Sequence, residues 1–194
     1  KQDLGAEIAA VLGFSAIKNN DKVGLVLFSE NVEKFIVPKK GKTHVMRVIR
    51  ELLYFKPKSK GTVLKNTIDF ISRVAKRKSV IFIISDFIDN GFWKSLKILN
   101  KKHDILGIKL IDPSEVAFPD IGLAKIEDQE TQKEFWIDTS SKDLRMKMQE
   151  NVESQLKNFM TKAKKNGVDM INIYTDQDFV EPLLKFFKMR ENRI

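Results

Sequence analysis

The sequence predicts an α/β fold on a mostly parallel central sheet, and three observations carry that prediction. Val80 to Ile84 is a wholly apolar run that ends abruptly on Ser85 and Asp86, as suits a strand covered on both faces whose carboxyl end meets solvent. From there strand and helix patterns alternate, and that rhythm implies right-handed parallel crossovers. Near the start, two strand-like runs joined by a short turn read as an antiparallel hairpin at a sheet edge, so the sheet is mixed.

Lys1 to Ile17 reads as an amphipathic helix with Leu4, Ile8, Val11, Leu12 and Ser15 near one stripe. Asn19-Asn20-Asp21 turns the chain into a strand over Val23 to Phe28, with close backbone approach at Gly24. Ser29-Glu30-Asn31 turns it again. A second, more exposed strand runs from Val32 to Val37, closed by Pro38 and Gly41. Thr43 is placed to cap a helix carrying Val45, Met46, Val48, Ile49, Leu52 and Leu53, which Lys56-Pro57 ends. A basic loop reaches Gly61-Thr62, where a helix begins that turns Leu64, Ile68, Ile71 and Val74 inward.

After the strand ending at Asp86, a helix is expected over Phe92 to Leu99 and a strand over Ile105 to Ile111, which Asp112-Pro113 closes. Leu123 to Asp128 and Glu134 to Asp138 form a small added hairpin around a polar turn at Gln129 to Gln132. Ser140 with Asp143 resembles a capping box for a long helix with Leu144, Met148, Val152, Leu156, Phe159 and Ala163 on its apolar stripe. Asn166-Gly167 stops it. Met170 to Tyr174 is the last strand, followed by a helix with Pro182 in its first turn and Leu183, Leu184, Phe186 and Phe187 buried.

With 194 residues and 42% hydrophobic content, the chain is expected to form one domain, 1–194, around its own core. It contains no cysteine, which excludes disulfides, thiol nucleophiles and Cys-based zinc sites and suits a reducing cytoplasm. Its two histidines, His44 and His103, stand in charged surroundings without the spacing of a metal-ligand pair. No apolar run is long enough to cross a bilayer, and the first residues are unlike a secretory signal. A natural domain seldom starts on a helix this abruptly, so preceding sequence is expected.

Lys34 to Lys65 holds ten basic residues against Glu51 alone, and thereby carries the whole net charge of +9. Such a segment suits an acidic protein surface or a phosphate backbone, so nucleic-acid binding through Lys39, Lys40, Lys42, Lys56, Lys58 and Lys60 is the alternative function. Neither a Gly-rich dinucleotide fingerprint nor a Gly-Lys-Ser/Thr phosphate loop occurs. A metal-dependent hydrolase centred on Asp86 is the least favoured reading. An aspartyl phosphatase would want a second carboxylate two residues on, where Ile88 stands.

Open α/β sheets bind ligands beyond the carboxyl ends of their strands, where the fold can bring Asp86 and Thr62 together. Carboxylate and hydroxyl oxygens are the ligands that a hard cation such as Mg²⁺ accepts. Val23-Gly24-Leu25 with Phe28, Gly61-Thr62 with Leu64, and Ile84-Ser85-Asp86-Phe87 together resemble the von Willebrand factor A fold, a three-layer Rossmann-like architecture. His103-Asp104-Ile105, Asp112-Pro113-Ser114-Glu115, Pro119 with Gly122, Asp128 with Glu130-Thr131 and Ile137-Asp138-Thr139 resemble, more narrowly, an uncharacterised bacterial branch of it. Members of that branch are often encoded beside MoxR-type AAA ATPases.

The resemblance implies a metal-ion-dependent adhesion site in which Thr62 binds Mg²⁺ and Asp86 assists. Lys56, Lys58, Lys60, Gly61 and Ser85 would then form the rim that meets a protein partner, a MoxR-type ATPase among the candidates. It implies non-enzymatic protein binding. The remaining ligands of such a site form an Asp-x-Ser-x-Ser motif at the end of the central first strand, which is missing from this sequence, as is the strand itself. The Gly expected before the hairpin turn is replaced by Gln132.

Overall fold

The computed structural model describes residues 1–59, 61–89, 91–117, 119–127 and 134–191. Lys60 and the hairpin turn at 129–132, with the Asp128, Glu130 and Thr131 signature, lie outside them. Helix α1 (Gln2–Lys18) buries Ile8 completely, with Leu4 and Leu12 packed beside it, whereas Val11 is 42% exposed. Full burial of one such side chain contributes about 1.5–3 kcal/mol.

β1 (Val23–Phe28) and β2 (Val32–Lys39) pair antiparallel. β2 runs on past Val37 through Pro38, which was expected to close it. Among the described residues β2 has no strand on its outer side, so a proline without an amide is tolerated there. Its ring explains Gly24: a Cβ at that position would stand 2.7 Å from Pro38 Cγ, and the ladder is irregular between Val23 and Leu25.

α2 (Lys42–Leu53) begins after Gly41 at φ 100°, and Thr43 lies within its first turn rather than capping it. Val45, Val48 and Ile49 are buried, but Met46 and Leu53 are exposed, because the helix packs mainly on α1 and β1 through a narrow stripe. α3 (Leu64–Val74) follows, then β3 (Val80–Ser85), α4 (Trp93–Asn100), β4 (Asp104–Ile111) and the single turn α5 (Pro113–Val116). β5 (Leu123–Glu127) and β6 (Glu134–Asp138) form the expected hairpin.

α6 (Lys142–Lys165) is capped by Ser141, whose hydroxyl accepts the Leu144 amide; Ser140, expected in that role, bonds Asp138 instead. β7 (Asp169–Tyr174) and α7 (Val180–Glu191) close the chain. Leu183 and Phe186 are buried and Phe187 packs beside them, while Leu184 is exposed.

β3, β4 and β7 make a parallel sheet in the order β3-β4-β7. Ile8 of α1 and Leu183 of α7 cover one face together with Ile108, Leu110 and Ile173. Leu64 and Ile68 of α3, Leu96 and Leu99 of α4 and Ala163 of α6 cover the other. β4 is the central strand and is buried along nearly its whole length. The apolar run of β3 is instead a sheet edge, with Val80 56% exposed. Apolar sequence reports that both faces are covered; it says nothing of which strands lie alongside.

One mixed sheet was expected, but β1 and β3 share no hydrogen-bond ladder. Side chains join them: Phe28 of β1 packs into the cluster that holds Ile83 of β3 and Leu64 of α3. The architecture of the described residues is therefore mixed α/β, with a parallel three-stranded sheet and two separate antiparallel pairs, β1-β2 and β5-β6.

Candidate functional site

β3 delivers Ser85 and Asp86 to the carboxyl edge, both half-buried. The Ser85 hydroxyl accepts the Phe87 amide at 3.1 Å and donates to Asp86 Oδ1 at 3.3 Å. Phe87 takes a left-handed φ of 53°, an uncommon backbone for a bulky residue. Its ring holds it there, 4% exposed and packed against Phe92 and Phe159. Asp86 is thus fixed by a strained step anchored in the core.

Gly61 and Thr62 enter from the other side. Asp89 joins the two loops: its Oδ2 accepts the Leu64 amide at 3.1 Å and its Oδ1 the Gly91 amide at 2.8 Å. Asp89, not Asp86, is therefore the carboxylate that caps a helix here. Thr62 itself is exposed. At Gly61 a Cβ would lie 2.7 Å from Glu30 Oε1, so the loop passes tightly against the β1–β2 turn.

A polar network secures that loop. Buried Ser29 donates to Glu33 Oε1 at 2.5 Å and accepts from Ser59 at 2.9 Å, and the Lys58 amide donates to both Glu33 oxygens at 3.0 Å. The Ser29 hydrogen bond, with help from Lys58, holds the Glu33 carboxyl below its ordinary range. Lys56 and Lys58 leave their side chains exposed on the rim.

Sequence reasoning missed Lys109. It faces Ser85 across the β3–β4 ladder, donates its ammonium to the Asp86 carbonyl and sits 4.9 Å over the Phe159 ring. Burial holds this ammonium below its ordinary value, opposed by the Asp86 carboxylate. A lone Lys in the otherwise apolar strand 105–111 was the available signal. Beside it, Lys1 pairs with Glu115 at 2.5 Å, and the Asp112 carboxylate accepts the Ser114 amide at 2.9 Å. The start of α1 therefore lies at the same edge as Lys109.

Thr62 and Asp86 do not by themselves make an Mg²⁺ site. An octahedral ion needs more oxygens than one exposed hydroxyl and one carboxylate, and the Lys109 ammonium already meets the Asp86 carbonyl. Among the described residues no group of three or more His, Cys, Asp or Glu is placed to hold a metal.

The basic segment does not gather into one surface of free charge. Lys34 and Arg47 both pair with Glu51, and Lys65 pairs with Asp69 at 2.8 Å. His44 bonds the Val23 carbonyl at 2.9 Å, and His103 is 4% exposed, with neither ring nitrogen partnered in the described structure.

The profile of the DUF58 family, proteins of unknown function, matches residues 1–158. The chain belongs to the DUF58 family. An uncharacterised protein of Mycobacterium bovis is 24% identical to this DUF58 chain over 98% of it and 61% of the relative, so the chain spans about three fifths of that protein's length. An uncharacterised Mycobacterium avium protein is 29% identical over 66% of the chain and 75% of the relative.

Two solved structures share the fold. The conserved hypothetical protein BatB of Bacteroides thetaiotaomicron superposes with a TM-score of 0.51 at 12% identity, covering 96% of the chain and 87% of its own. An aerotolerance-related membrane protein of Bacteroides fragilis gives 0.56 at 16%, covering 97% and 89%. Among the described residues of the DUF58 chain, no helix is long and apolar enough to cross a membrane.

Proposed function

We propose that this chain is a non-enzymatic protein-recognition module that presents its carboxyl edge, around Thr62, Ser85 and Asp86, to an acidic surface of a protein partner. The observation that carries the reading is the Asp89–Leu64 bond at 3.1 Å, which fastens the Asp86 loop to the helix that follows Thr62. Exposed Lys56 and Lys58 on the rim are the groups that would meet the carboxylates of an acidic partner.

In this reading the fold is of the von Willebrand A kind. Among the described residues the edge of β1 away from β2 and the edge of β3 away from β4 carry no ladder, and a further strand of such a fold would run there. That strand would bring the oxygen ligands that Thr62 and Asp86 lack for Mg²⁺. A cytoplasmic setting fits the absence of cysteine and belongs to the same proposal. The family resemblance makes a MoxR-type AAA ATPase the first partner to try.

The test is calorimetry of the chain with that ATPase, with Mg²⁺ and with a chelator, beside Thr62→Ala and Asp86→Ala. Each substitution is expected to weaken binding about tenfold or more, which is about 1.4 kcal/mol. Binding that both variants leave unchanged would overturn the reading. Binding of single-stranded DNA that falls steeply with salt, with no ATPase binding, would replace it by the nucleic-acid alternative.

A further inference from the structure

The far side of the parallel sheet carries a second recognition feature, independent of the carboxyl edge. β7 is the terminal strand, and among the described residues no strand pairs with its outer edge. The Thr175 amide bonds the Ile111 carbonyl of β4 at 2.9 Å. Main-chain groups alternate along a strand, so those of residues 169, 171 and 173 also point toward β4 and those of Met170, Asn172 and Tyr174 point outward.

A groove of about 800 Å³ runs along this edge between α6 and α7, and Met170, Asn172 and Tyr174 line it together with Met160, Phe186 and Met189. An exposed edge in an apolar channel is a template for another strand. Asn172 sharpens the point. Its Oδ1 is buried without a hydrogen-bond partner, midway along the channel. Such an atom costs free energy until a donor reaches it.

The rim indicates the chemistry of the occupant. Lys157 and Lys164 of α6 stand exposed on it without an ion pair in the described structure, against Glu153. The Asp169 carboxylate is held by Arg190 at 2.6 Å. Arg190 also holds Asp104 at 2.7 Å, and outside that triad the groove is rimmed by two ammonium groups, Lys157 and Lys164, against the one carboxylate of Glu153.

We infer that the outer edge of β7 accepts an extended peptide of a partner protein by strand addition, one that alternates apolar side chains with acidic ones. The outward groups of residues 170, 172 and 174 supply the ladder, the methionine-lined channel takes the apolar side chains, and Lys157 and Lys164 meet the carboxylates. Methionine side chains adapt to different apolar shapes, so the channel selects for pattern more than for one sequence.

The probe is a short labelled peptide alternating Val with Glu, compared with its Val-Lys counterpart, and followed by amide chemical shifts of the isotopically labelled chain. The acidic peptide is expected to saturate and to move the amides of 170, 172 and 174, with the basic peptide at least tenfold weaker. Asn172→Pro deletes one outward amide and leaves the β4 ladder alone, so it should abolish binding. If that variant does not fold, Lys157→Glu with Lys164→Glu on the solvent side of α6 should reverse the preference between the peptides. Equal binding of both peptides, binding that survives Asn172→Pro, shifts confined to other strands, or an edge occupied by a second copy of the chain would each overturn the inference.

Discussion

Asp89 Oδ2 accepts the Leu64 amide at 3.1 Å, and this one bond ties the loop leaving β3 to the first turn of α3. Val63, at the start of that helix, offers no side-chain cap of its own. The carboxylate therefore does two things at once. It satisfies an orphan amide at the positive end of the helix, and it fixes the spacing between the Thr62 and Asp86 segments.

Asp89→Ala should destabilise the chain by about 1 kcal/mol, the usual loss of a helix cap, read from urea unfolding. Asp89→Asn keeps an acceptor and should recover most of it. Under the proposed function, Asp89→Ala should also weaken partner binding although Asp89 lies outside the rim. An unchanged midpoint would show that the loop and helix hold together without the carboxylate.

Much of this frame is legible in the sequence, because period and punctuation are local. Val23–Phe28 and Glu134–Asp138 stand where alternation and turn residues put them. What was not legible depends on distant partners. Thr43 has the chemistry of a cap, but Gly41 at φ 100° already starts the helix two residues earlier. The run 80–84 reads as a strand covered on both faces, and sequence cannot show that among the described residues β3 pairs with β4 alone. Thr62 and Asp86 were read as a pair, whereas Asp89, Glu33 and Lys109, which hold the loops around them, act across segments far apart in the chain.

Lys109 should leave a signature in alkaline solution. Its folded-state value lies below the ordinary 10.5, mainly through burial, so between the two values the unfolded chain binds the proton that the folded chain has released. Stability from this group therefore rises as pH climbs toward 10.5, and the cost of the buried ammonium is present at neutral pH. Lys109→Met should flatten the alkaline rise in the urea midpoint. An identical profile in wild type and variant would place the ammonium in solvent.

His103 should act at the acid end. The imidazole is 4% exposed and its value lies below the ordinary 6.5, first through burial and then through Lys102. As pH falls below 6.5 the unfolded chain protonates first. Stability is thus intact above 6.5 and is lost as pH drops toward the folded-state value. His103→Leu removes two unpartnered ring nitrogens, and it should be close to neutral in stability at pH about 7 and less acid-sensitive below about 6. A His103→Leu chain with the wild-type acid slope would move the cause to the carboxylates.

Gly107 and Met170 should prove coupled. They are register partners across β4 and β7, and a Cβ at Gly107 would stand 2.3 Å from Met170 Cε and 3.0 Å from its Cγ. The methyl end can turn away, but moving Cγ takes a change of χ1 in a side chain packed against the core cluster. Gly107→Ala should therefore cost about 1–3 kcal/mol by overpacking a central strand. Met170→Ala makes room where Gly107→Ala needs it, so the double variant should be more stable than the sum of the single losses by about 0.5 kcal/mol or more. Urea unfolding of the four chains measures that difference directly. Additive losses would mean that Met170 escapes the added methyl by a rotamer change alone.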